Sequence, residues 1–211
     1  MRKVSWLRMS FLAMGAVTVA GCAAMSKSEC QLGDWHTAGF DDGARGLPVT
    51  RLADYAKACG KYSISPDLGT YRAGYDLGLE TYCRESNGFA VGSRGAGYGG
   101  VCPVNLEVQF LQGFRVGHQL FELQAAVNDI QGQIGQRRAL LQESAERLAA
   151  TQAAIVSDDT SADQRVGLLV KAGELWQQQR SLEAEIVQLE RNLVVSQQDL
   201  SRFQGSLAYN R

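Results

Sequence analysis

Three short units of one kind constrain this chain more than any other feature. Each is a glycine, an aromatic residue, two further residues and a second glycine. They read Gly39-Phe40-Asp41-Asp42-Gly43, Gly74-Tyr75-Asp76-Leu77-Gly78 and Gly113-Phe114-Arg115-Val116-Gly117, with Trp35, Tyr71 and Phe110 ahead of them. Glycines four apart lie on one face of a helix, and each costs about 1 kcal/mol of helix stability relative to alanine. Close approach of a second backbone at the bare face offsets that cost. The units therefore predict short, tightly packed helices with aromatic rings filling the space beside the contact. The sharper reading of the same residues is an aromatic-lined groove for a glycan or peptide.

Four cysteines, Cys30, Cys59, Cys83 and Cys102, frame these units. A first helix is expected from Trp35 to about Gly46, where Gly46-Leu47-Pro48 breaks it. A second is expected from Arg51 to Cys59, with Thr50 as N-cap and Gly60 at its end. Ser65-Pro66-Asp67 signals a third, with Ser65 as N-cap and Pro66 at the first position, running to about Cys83. A fourth begins near Cys102-Pro103. Four cysteines allow three connectivities. If the first two helices run antiparallel, and the third and fourth likewise, the bridges are Cys30–Cys59 and Cys83–Cys102. Between the last two cysteines, Asn87 to Gly100 reads as a glycine-rich loop with Arg94 and Tyr98 as its exposed recognition groups. Gly95, Gly97 and Gly100 fit a dinucleotide-loop spacing, but no buried-strand pattern precedes them, so that reading is rejected.

The N-terminus reads as an address. Arg2, Lys3 and Arg8 precede a short apolar run, Met9 to Ala20, too short to span a bilayer. It ends in Val19-Ala20-Gly21-Cys22, which resembles a bacterial lipobox. That resemblance implies cleavage of residues 1–21 and lipidation of Cys22, and Ala23 rather than aspartate after it implies the outer membrane, facing the periplasm. Cleavage removes three of the 21 basic residues and none of the 22 acidic ones, moving the net charge from −1 to −4. No basic run survives, which argues against a nucleic-acid partner. With Cys22 lipidated, the four remaining cysteines of an exported chain read as two disulfides.

The combination of Cys30 with Trp35, Gly39 to Gly43, Cys59, Pro66-Asp67, Tyr71 with Gly74, Gly78-Leu79, Tyr82-Cys83, Asn87-Gly88-Phe89, Gly92 and Tyr98 to Pro103 resembles the proteobacterial lipoprotein family called domain of unknown function 2799. The resemblance covers roughly Cys22 to Glu122. It implies location and architecture, and it carries over no catalytic residues.

From Val104 to about Leu207 the pattern is helical. Leu120, Val127, Ile134, Leu141, Leu148 and Ile155 recur every seven residues, while the second seam position weakens at Arg137, Ser144 and Thr151. Val156 to Thr160 is a turn, and Ser161 with Gln164 suits a capping box. The second arm alternates four and three from Leu168 to Leu207, interrupted by Gln179 and Ser196. Two arms and a short turn predict an antiparallel coiled-coil hairpin.

The expected class is therefore all-α: signal peptide 1–21, a small disulfide-stapled domain with a glycine-rich loop over 22–117, and a hairpin over 118–211. His36, Asp41 and His118 could be imagined as a metal or acid–base site. Their spacing matches no zinc helix or calcium loop, and no nucleophile motif is present. Asp41 and Asp42 are expected to bond local backbone or face solvent. No enzyme, cofactor or metal is read from the sequence. The expected role is structural or protein-interacting in the cell envelope, with the hairpin binding an envelope protein or self-associating. The alternative is a cell-wall glycan or peptide binding module using Trp35, Phe40, Tyr75, Arg94 and Tyr98. An envelope hydrolase ranks below both.

Overall fold

Residues 25–209 are described by the computed structural model, and within them every regular element is a helix. In order these are α1 (Lys27–Leu32), α2 (Trp35–Ala44), α3 (Arg51–Gly60), α4 (Leu68–Tyr82), α5 (Glu85–Gly92), α6 (Val104–Val156) and α7 (Ala162–Tyr209). The first five helices and the start of α6 form a disulfide-stapled head. The rest of α6 pairs with α7 in a long hairpin. Cys22 and the N-terminal segment lie outside the described residues.

The glycine units explain how the head is put together. α2 packs on α4, and α5 packs on α6. A Cβ on Gly39 would collide with the Tyr71 carbonyl, and one on Gly74 with the His36 carbonyl. One turn later Gly43 meets the Tyr75 carbonyl and Gly78 that of Phe40. The contacted residue numbers rise together, so the two helices run parallel. Contact this close lets Cα–H groups face carbonyl oxygens across the interface.

The second pair repeats the geometry. Gly88 faces the Phe110 carbonyl and Gly113 that of Glu85, then Gly92 faces Phe114 and Gly117 faces Phe89. A fourth unit, Gly88-Phe89-Ala90-Val91-Gly92, thus lies inside the stretch expected to be loop. That expectation is corrected: Glu85–Gly92 is helical because its glycine face docks on α6. Both copies also stop alike. Gly46 and Gly95 each adopt φ +68°. The Gly46 amide donates to the Gly43 carbonyl at 2.9 Å and the Leu47 amide to Asp42 at 3.0 Å. The Gly95 amide donates to Gly92 at 2.8 Å and the Ala96 amide to Val91 at 3.3 Å. This is the left-handed glycine stop that satisfies the last carbonyls of a helix. A side chain at Gly46 would strike the Tyr82 ring, and one at Gly95 the Phe121 ring. The head is a tandem of two similar halves.

The disulfides join Cys30 to Cys59 and Cys83 to Cys102, with Cα atoms 5.4 and 5.7 Å apart. The expected pairs are found. Cys30 precedes α2 and Cys59 precedes α4; Cys83 precedes α5 and Cys102 precedes α6. Asp42 at the end of α2 meets Arg51 and Tyr55 in the first half of α3, while Cys30 ahead of α2 meets Cys59 in the last turn of α3, so the first bridge fits the expected antiparallel pair. Each bridge also lies on the N-terminal side of a parallel glycine-paired couple.

Helix starts also differ in detail. α4 is capped by Asp67, whose carboxylate accepts the Thr70 amide at 2.6 Å, and not by Ser65. Thr50 makes no side-chain cap bond to α3. The boundary drawn at 117/118 falls inside α6, which passes unbroken from head to hairpin. Trp35, Tyr55, Tyr71, Tyr75, Leu79, Val91 and Phe110 form the head core with the four cysteines. Tyr82 stacks on Phe110 at 5.2 Å and joins the two halves.

In the hairpin, Val127, Ile134 and Leu148 of α6 are buried with Ala172, Leu175, Leu182 and Ile186 of α7. The weak seam positions Ser144 and Thr151 are buried as well. Arg137 reaches Glu185 at 2.6 Å and Arg138 reaches Glu190 at 2.8 Å. The seam closes within one chain. At the tip, Ser161 and Gln164 form the expected reciprocal cap, and Arg165 donates to the carbonyls of Ser157 and Thr160 at 3.0 Å each. No helix of the described residues is long and apolar enough to cross a membrane.

Candidate functional site

The head holds one fully buried carboxylate, Asp42, on the glycine face of α2 beside Gly39 and Gly43. Burying an ionised carboxylate is costly unless it is paired and hydrogen-bonded. Here its Oδ2 accepts the hydroxyls of Tyr55 at 2.8 Å and Tyr71 at 2.9 Å. Its Oδ1 accepts Arg45 Nη2 at 2.9 Å and lies 3.4 Å from Arg51 Nε. Arg51 also lies over the Tyr55 ring, 5.6 Å from its centre. The group links α2, α3 and α4 through one side chain. The expectation that Asp42 bonds local backbone or faces solvent is corrected, whereas Asp41 is exposed.

Burial, and then the hydrogen bond and charge of Asp42, push the Tyr71 phenol well above its usual range. Burial is also the main cause for Tyr55, opposed by the Arg51 guanidinium beside it. Both phenols therefore remain protonated donors at neutral pH. With four donor groups already around it, the carboxylate serves as an internal tie between helices. In the second half of the head, Val91 stands where Asp42 stands and Phe110 where Tyr71 stands, counted from the glycines. The hydroxyl and the carboxylate are present together or absent together.

The residues singled out as binding groups are dispersed. Trp35 and Tyr75 are core, and the Tyr75 hydroxyl donates to the Leu47 carbonyl at 2.7 Å. Tyr98 is half-buried against Phe110, accepts the Cys102 amide at 3.0 Å and bonds Glu107 at 3.1 Å. Phe40 is partly exposed on α2, and Arg94 is exposed after α5. No shared aromatic groove brings these five together. His36 lies on α2 of the first pair and His118 on α6 of the second, where it reaches Glu122 at 3.4 Å. Among the described residues no group of three or more His, Cys, Asp or Glu is placed to hold a metal ion. Helical spacing puts position 42 near the face of Gly39 and Gly43, but the same position is buried in α2 and α5, at Asp42 and Val91, and exposed in α4 and α6, at Leu77 and Val116, so its burial follows from the neighbouring α3 and not from the spacing alone.

Residues 34–119 match the family model described as Protein of unknown function (DUF2799). The match runs from the N-cap of α2 to just beyond Gly117, enclosing both glycine-paired helix couples and leaving out most of the hairpin. No curated protein and no solved structure matches the chain.

Proposed function

We propose, on the premise that residues 34–119 form a DUF2799 domain, that this chain is a lipid-anchored protein of the outer membrane, facing the periplasm, with a structural or protein-interaction role. The observation that carries the reading is the pairing of two disulfides in a small head with Val19-Ala20-Gly21-Cys22 ahead of it. Disulfides persist in oxidising compartments. A lipid on Cys22 would hold the head at the membrane surface, and the hairpin would extend from it. Several acyl chains bury enough methylenes, at about 0.8 kcal/mol each, for stable anchoring. Burial of Trp35 and Tyr75 leaves little exposed aromatic surface for the glycan-binding alternative.

Metabolic labelling with palmitate, followed by membrane fractionation, tests the anchor. The chain should take up label and sediment with outer membranes, and Cys22→Ala should lose both properties. An unlabelled, soluble wild-type chain overturns the reading.

A further inference from the structure

The two long faces of the hairpin differ. Arg138 and Glu190 line one groove with Gly135, which fixes the side that carries these positions. Followed toward the tip at heptad spacing, α6 places Ala145, Ala149, Gln152 and Val156 on that side. α7 places Val166, Leu169, Gly173 and Trp176 there. None of the eight is charged. The opposite side, over the same turns, carries Glu143, Arg147, Lys171 and Glu174.

On the uncharged side Val156 is 76% exposed, Val166 63%, Leu169 59% and Trp176 51%. Burial of the seam does not explain these residues, because the seam is already closed by others. A half-exposed tryptophan within a patch of this kind marks an interaction surface.

We propose that this distal face binds a second copy of the same chain. The face is complementary to itself: α6 contributes mainly small residues, Ala145 and Ala149, and α7 contributes large ones, Leu169 and Trp176. A two-fold axis along the hairpin, in the plane of the contact, lays α6 of each copy on α7 of the other, sets the large residues of each against the small residues of its partner, and leaves both heads on the same side, as an isologous contact between two anchored chains requires. Nearer the head the same side mixes charges, at Arg138, Arg180, Glu183 and Glu190, with exposed Val187 and Val194, so its uninterrupted uncharged stretch is the distal one. The face is about 18 Å long and about 20 Å wide from helix dimensions, or roughly 700 Å² summed over both copies. Contacts of this size fall below about 1,200 Å², in the class of weak, transient association. The inference rests on the proposed membrane anchor, because two chains held on one surface meet at a raised effective concentration.

The test is site-specific photo-crosslinking of the full chain in intact cells, with the photoreactive residue in place of Ala149 or, on the charged side, Glu143. An adduct of twice the chain mass is expected from position 149 and not from 143. Adding Trp176→Glu should reduce that adduct at least about tenfold, while abundance and thermal unfolding stay unchanged. Absence of the double-mass adduct at 149, equal adducts from both positions, or adducts only with other proteins would overturn the proposal. Palmitate incorporation, read in the same cells, reports separately on the anchor.

Discussion

Replacing Gly74 by alanine is the sharpest probe of the paired-helix design. In an open helix the change should stabilise the chain by about 1 kcal/mol, because glycine is the poorer helix former. Gly132 offers that reference, since a Cβ there meets nothing within 4 Å. At Gly74 the new Cβ collides with the His36 carbonyl oxygen and lies 2.8 Å from its carbon and 3.0 Å from the Phe40 nitrogen. These are backbone atoms, so no rotamer change relieves them. The helices must separate over the turn that holds Gly39 and Gly43. Overpacking costs about 1–3 kcal/mol where side chains can adjust, and more where they cannot. Set against the propensity gain, a net loss of about 2 kcal/mol or more is expected. For a head of about 100 residues that lowers the midpoint by roughly 8–16 °C. Thermal unfolding followed by near-ultraviolet circular dichroism reads the packed tyrosines of the head directly. Gly132→Ala should leave that transition in place. A Gly74→Ala head as stable as wild type would refute the backbone-contact account.

Two further outcomes follow from the head. Asp42→Val should cost about 3–5 kcal/mol in urea unfolding, because the hydroxyls of Tyr55 and Tyr71 and Arg45 Nη2 lose their acceptor and Arg51 loses its ion-pair partner; adding Tyr71→Phe, which reproduces the Val91–Phe110 pairing, should recover part of that loss, and strict additivity would show no coupling. Asp34 is held below the usual carboxylate range by the side chain and then the amide of Thr37, and Asp67 by the amide and then the side chain of Thr70. Their contribution to stability is present above the ordinary value of 3.8 and lost as pH falls through the lowered folded values. Midpoints measured from pH 5 downward should therefore decline, and less steeply in the double variant Asp34→Asn, Asp67→Asn.

The hairpin was legible because heptad spacing states directly which residues are buried, from Val127 through Ile186. Its polar positions were read as weak points, yet Ser144 is buried and reaches Gln178 at 3.5 Å, while Gln179 Nε2 is left without a partner. Glycine spacing correctly announced close helix contact, but spacing alone carries no direction, and parallel pairing depends on which carbonyl each glycine meets. The helix α5 was hidden by its own composition. Glycine-rich sequence suggests a loop until Gly88 and Gly92 are set against Gly113 and Gly117. The Asp42 network spans three helices far apart in sequence, and the equivalent positions Leu77 and Val116 are exposed, so neither its partners nor its burial could be read locally.

α6 belongs at once to the head, through Gly113 and Gly117, and to the hairpin, through Val127 and Ile134. That makes it a lever. Its distal arm, residues 118–156, measures about 58 Å at 1.5 Å per residue, so a tilt of one degree where α5 grips it displaces the tip by about 1 Å. Two ridged rows of carbonyls and glycines at the fulcrum thus set where the far end points, and a single methyl added there would be felt as a swing at the other end of the molecule.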